Sequence, residues 1–84
     1  MNRIALVGVM VEREDSVEAV NAILHEFASG IVGRMGLPLR DRGVNVISVV
    51  MDDTAEHVSA LSGKLGRVDG VAVKVSYSKK EWNQ

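Results

Sequence analysis

The 84 residues predict an α+β fold, a four-stranded sheet carrying two helices on one of its faces. Three observations predict it. Apolar runs of strand length and apolar stripes of helical spacing follow one another as strand, helix, strand, strand, helix, strand. Each helical stripe is preceded by an acidic break suited to capping a helix, Glu12–Asp15 in the first half and Asp52–Thr54 in the second. The length holds one core and not two, since domains usually run to about 100–150 residues. A single domain over residues 1–78 with a polar, frayed tail over 79–84 is therefore expected.

Arg3 to Val11 is almost continuously apolar and rich in β-branched residues, as in a strand covered on both faces. Asp15 or Ser16 can cap the helix that follows, and the Asp15…Glu18 spacing fits a capping box. Val17, Val20, Ile23, Leu24 and Phe27 form its apolar stripe, and Ser29-Gly30 ends it with glycine in the left-handed conformation. Ile31 to Leu37 reads as an edge strand weakened by Gly33 and Gly36, with Pro38 lacking a ladder donor. Arg40 to Gly43 is a turn. Val44 to Met51 is the second strongly apolar strand, after which Asp53…Glu56 offers another capping box. Val58, Leu61, Leu65 and Val68 make the second helical stripe. Val71, Val73, Val75 and Tyr77 then alternate with Ala72, Lys74 and Ser76 in a half-buried strand. The two most apolar strands belong at the centre and the Pro-bearing and Lys-bearing ones at the edges, which gives the strand order 4-1-3-2 of a ferredoxin-like split βαβ.

Composition narrows the function classes. With no cysteine, the chain has no disulfide framework, thiolate zinc site or thiol nucleophile. Ten basic residues against eleven acidic ones give a net charge of −1, unlike a generally basic nucleic-acid surface. Phe27, Tyr77 and Trp82 are the only aromatics, too few for a base-stacking platform. The apolar run Ile4–Val11 is too short for a membrane span, so a cytoplasmic protein with no membrane association is expected.

No enzymatic constellation emerges, and neither a cofactor nor a metal is expected. Gly30–Gly36 has a three-residue glycine period rather than GxGxxG and follows a helix. Ser62-Gly63-Lys64 has Val58 and Leu65 where a P-loop needs Gly and Ser or Thr. His25 and His57 show no metal-ligand spacing and read as surface or boundary residues. The acidic clusters read as helix caps rather than acid–base pairs. Arg34, Arg40 and Arg42 crowd one turn, where they could meet an anion or an acidic partner, although Asp41 offsets them and a solvated turn accounts for them as well.

Self-association is expected. Two helices cover one face of a four-stranded sheet, yet both faces of both central strands are apolar. A homodimer or homotetramer meeting through the helix-free face follows, with Val7, Val9 and Val49 assigned to the interface.

Ile31-Val32-Gly33-Arg34-Met35-Gly36-Leu37-Pro38, Val44–Val50, and a helix with Ser59-Ala60-Leu61-Ser62-Gly63-Lys64-Leu65-Gly66 running into Gly70-Val71-Ala72-Val73-Lys74 carry a resemblance over about residues 3–78. The chain resembles the small regulators of the iron-only hydrogenase system, ACT-like domains similar to the C-terminal ligand-binding domain of nickel-responsive ribbon-helix-helix regulators. The resemblance implies a regulatory or small-molecule-sensing module that assembles through its sheet and answers to an effector or to a hydrogenase-system protein. An accessory to a maturation partner, or a ligand-dependent DNA-binding transcriptional regulator, are the alternatives. Because the chain starts directly with the first ACT-like strand, direct DNA binding through a ribbon-helix-helix arm is not expected; with no cysteine to match the nickel site, the metal function does not carry over. An effector site is expected near the ends of the central strands, between the Glu12–Asp15 turn and a neighbouring subunit, on Arg13, Asp15 and Ser16, where helix N–H donors are free.

Overall fold

The apolar runs become four strands, β1 (Asn2–Val11), β2 (Ile31–Leu39), β3 (Val44–Thr54) and β4 (Val71–Tyr77), in a computed structural model that describes residues 1–80. Two helices, α1 (Val17–Glu26) and α2 (Ala55–Gly66), follow β1 and β3. The expected tail lies outside the described residues from position 81 on. The sheet is antiparallel throughout in the order β2-β3-β1-β4, which is the expected 4-1-3-2 read from the other edge. The two richest apolar strands occupy the centre, where a neighbouring strand flanks each of them on both edges and the helices cover one face.

Alternation along β1 and β3 divides the sheet into an inner and an open face. On the inner face Ala5, Val7 and Val9 stand beside Val49, Met51 and Ile47, and the helices close over them with Val20, Leu24, Val58, Leu61 and Leu65. The α2 residues recur at three and four positions, one stripe of a 3.6-residue helix. Nearly all of this core is inaccessible to water, and each Val or Leu fully buried there contributes about 1.5–3 kcal/mol.

This division corrects the interface residues. Val7, Val9 and Val49 are each 0% exposed within one chain, beneath the helices, so a second copy cannot touch them. The helix-free face is the other set. Pairing sets Leu37, Val46, Met10 and Ala72 in one row across all four strands, and Gly33, Val50, Leu6 and Ser76 in another. Between them runs Met35, Ser48, Gly8 and Lys74. Leu6, Met10, Met35, Leu37, Leu39 and Val50 are 37–60% exposed on this face.

Four local expectations give way to different chemistry. Neither Asp15 nor Ser16 supplies a side-chain cap to α1; Glu14–Ser16 winds instead into a 3-10 turn that leads into the helix. Strand β3 runs three residues beyond Met51, and the cap of α2 is Thr54, not Asp53: Thr54 Oγ1 accepts the His57 N–H at 3.1 Å. Strand β2 runs through Pro38 to Leu39, tolerated because its outer edge is unpaired, and a register shift between Ile31 and Gly33 makes Val32 a bulge. Gly30 does not adopt a left-handed conformation. It is required because a Cβ there would overlap the Asp53 side chain.

Gly30→Ala should therefore act at a distance in sequence. It must push aside the Asp53 carboxylate, which accepts the Thr54 N–H at 2.7 Å and lies 2.7 Å from His57 Nδ1. The overpacking should cost about 1–3 kcal/mol, read as a lower midpoint in urea with an unchanged slope. An unchanged midpoint would mean that the close approach of Gly30 to Asp53 is not a constraint in solution.

Candidate functional site

The segment between β1 and α1 is held by its neighbour in space, the turn between α2 and β4. Glu12 N–H donates to Gly70 O at 2.7 Å. Ser16 Oγ donates to Asp69 O at 2.7 Å, which satisfies a hydroxyl that is almost wholly buried. Gly70 has φ +73°, and the aliphatic stem of Arg13 fills the space that a Cβ would need, so glycine is demanded twice there. Arg13 then forks onto Asp15, Nε to Oδ1 at 3.1 Å and Nη2 to Oδ2 at 2.9 Å. The hydrogen bonds from Arg13, with its charge, hold the Asp15 carboxyl below the usual carboxylate range; the same contact raises Arg13. Both side chains are more than half exposed, so the pair adds little to stability.

The three residues expected at an effector site thus part company. Ser16 is committed to a backbone carbonyl, while Arg13 and Asp15 neutralise each other at the surface. The neighbouring Glu14 lines a cavity of about 610 Å³ between this segment and the turn joining β2 to β3. Its other walls include Val17 of α1, Pro38 and Leu39 at the end of β2, Arg40, and Asn45 of β3. The volume lies in the range of small-molecule sites, about 300–1,000 Å³. One carboxylate, one guanidinium and one amide stand over apolar walls, so the cavity presents hydrogen-bond donors and acceptors together. Of the arginines crowded near this turn, Arg40 lines the cavity, whereas Arg34 bonds Asn21 on α1. Sequence reading named Arg40 as able to meet an anion but did not single out Glu14 or Asn45, because only tertiary folding brings the end of β2 to the start of α1.

His57 also gained a partner that adjacency in sequence did not suggest, Asp53 one helical turn earlier rather than Glu56. Burial would raise the Asp53 carboxyl, but the bonds from His57 and the Thr54 N–H outweigh it and hold it below its ordinary value. An ionised carboxylate only accepts, so His57 Nδ1 carries the hydrogen between them. Among the described residues no group of three or more His, Asp or Glu could hold a metal ion. No helix among them is long and apolar enough to cross a membrane.

Comparison with known proteins gives the following. The sequence model of the TM1266-like family, described as "Iron-only hydrogenase system regulator, putative", matches residues 3–75. The uncharacterized protein TM1266 from Thermotoga maritima has a similar structure, with a TM-score of 0.90 and 35% sequence identity over 94% of this chain and 100% of that one. The C-terminal domain of the MgtC protein from Mycobacterium tuberculosis shares the fold, with a TM-score of 0.73, 18% identity, and 99% of this chain and 95% of that one covered. Among curated proteins none matches.

Proposed function

We propose, from the premise that this chain belongs to the TM1266-like family of iron-only hydrogenase system regulators, that it is an ACT-like regulatory module. It senses a small effector in the cavity between the β1–α1 segment and the β2–β3 turn, and it works as a homo-oligomer joined through the open sheet face. The observation that carries this reading is the cavity itself. Glu14 and Arg40 face a common space with apolar walls at the ends of the sheet strands, where a bound molecule would touch β1–α1, β2 and β3 together. Arg13 and Asp15 stand exposed beside it and can open their ion pair to an incoming charge at little cost.

The test is a thermal-shift panel of amino acids, nucleotides and divalent metals. A true effector at about 100 times its Kd stabilises the chain by about 2.7 kcal/mol. For a domain of this size each kcal/mol is worth about 4–8 °C in Tm. The shift should disappear in Arg40→Ala and Glu14→Ala, and neither exchange should alter the Tm of the free protein much, since both residues are exposed. A shift that survives both exchanges would place the effector elsewhere. Silence across the panel, together with co-purification of a maturation protein, would replace this reading with that of an accessory to a maturation partner.

A further inference from the structure

A second cleft, of about 410 Å³, opens between the last turns of α1 and the start of β2, and it shares no lining residue with the cavity described above. It is lined by Asn21, Leu24, His25, Ala28, Ile31 and Arg34. We infer that it is a binding site for a small organic carboxylate with an apolar body, held through Arg34.

The placement follows from the fold. Arg34 pairs across the sheet with Val49, an inner-face residue, so its side chain rises on the helix side of the exposed edge strand. There Arg34 Nη2 donates to Asn21 Oδ1 at 2.7 Å. That bond fastens the guanidinium to α1 and uses one of its five N–H donors. Among the described residues no carboxylate forms an ion pair with Arg34; the recorded pairs are Arg13–Asp15, His57–Asp53 and Lys64–Glu26. The cleft contains no acidic residue at all. Its polar groups are a fixed guanidinium, an amide whose oxygen is occupied, and the His25 imidazole. All three can donate toward a bound anion, and the guanidinium fork matches the two oxygens of a carboxylate.

The floor selects the rest of the ligand. Half-buried Ile31 and exposed Ala28 supply the apolar surface beneath the polar rim, and Leu24 backs it from within the core. A fully hydrated inorganic anion would gain nothing from that floor, whereas an aryl or alkyl carboxylate would cover it. The C-terminal end of α1 is close, and its carbonyls would repel an anion if they were free. Two of the carbonyls there are satisfied: Phe27 N–H donates to Leu24 O at 3.1 Å and Gly30 N–H to Phe27 O at 3.0 Å. The inference is independent of the effector cavity, and its readouts are residues that the cavity does not touch.

Benzoate, with neutral benzamide as its isostere and inorganic phosphate as a bare oxyanion, tests it by nitrogen-15 NMR titration of the full chain. Benzoate should produce saturable shifts at Asn21, His25 and the Arg34 side chain, and benzamide should not. Arg34→Gln should weaken benzoate about tenfold or more, with the signals of β1, β4 and α2 in place. Arg34→Lys, which keeps the charge and loses the fork, should fall between the two. If Arg34→Gln does not fold, Asn21→Ala carries the test, because it unfastens the guanidinium and should also weaken binding. Unsaturable benzoate shifts, an equal response to benzamide, or undiminished binding in these variants overturns the assignment. Phosphate bound as tightly as benzoate overturns the role given to the apolar floor.

Discussion

Val7→Lys should abolish the folded state, leaving a chain with no cooperative thermal transition by circular dichroism. Val7 lies between Val49 on β3 and Val75 on β4 and is wholly excluded from water beneath the helices. The exchange loses about 1.5–3 kcal/mol of apolar burial. It also places an ammonium where no carboxylate can reach it, because the surrounding core is aliphatic. The effective cost of such a buried, unpaired ion is several kcal/mol even after relaxation. Together these approach or exceed the whole stability of a small domain, about 5–15 kcal/mol. Lysine can snorkel from a strand near an edge, but β1 is central and flanked on both sides. Val49→Lys should behave in the same way. A cooperative melt near that of the unmodified chain would move Val7 from the core to a surface.

That prediction turns on a question of face, which is where sequence reading reached its limit. The alternation in β1 and β3 is plain from the residues: Ala5, Val7, Val9 and Val11 oppose Ile4, Leu6 and Met10. Since both sets are apolar, periodicity alone could not decide which one the helices cover, and Val7, Val9 and Val49 were assigned to the wrong side. Side-chain shape gave no consistent cue: on β1 the inner set is Ala and Val and the open set carries Leu6 and Met10, but on β3 the inner set carries Ile47 and Met51 and the open set Val46 and Val50. Strand order was legible because it depended on composition summed over whole strands. Helix caps were less so. Asp15, Ser16, Asp53 and Thr54 are all competent caps, and the choice among them depended on partners near and far, Asp69 for Ser16 and, for Asp53, the close approach of Gly30 and His57 one turn on. The cavity residues Glu14, Arg40 and Asn45 come from three places in the chain and share no motif. Arg13, Asp15 and Ser16 stand out in the sequence because they begin a helix with free N–H donors, but the fold commits Ser16 to Asp69 and pairs Arg13 with Asp15.

Met10→Lys should convert an oligomer into a folded monomer, the opposite outcome from Val7→Lys three residues away. Met10 sits on a central strand in the row formed by Leu37, Val46 and Ala72, close to the middle of the open face. The exposed side chains around it make a contiguous apolar patch on the order of several hundred Å², about the upper limit for soluble monomers. Covering such a patch on each of two copies contributes on the order of 10–20 kcal/mol, which can exceed an association cost of about 4–15 kcal/mol. A two-fold axis through the face sets each row against its mate, the commonest closed arrangement. Lysine at position 10 would be buried by that contact with only apolar groups opposite, and Lys74 of the central row already supplies one cation to the same face. In the separated chain the new ammonium would be hydrated and harmless, since Met10 is nearly half exposed there. Light scattering coupled to size exclusion should therefore give the unmodified protein a mass of twice 9.1 kDa or a higher multiple. Met10→Lys and Leu6→Lys should each give a mass near 9.1 kDa with a cooperative melt retained. A monomeric mass for the unmodified chain would refute self-association, and an oligomer that survives both exchanges would place the contact elsewhere, with the outer edge of β2 the next surface to examine.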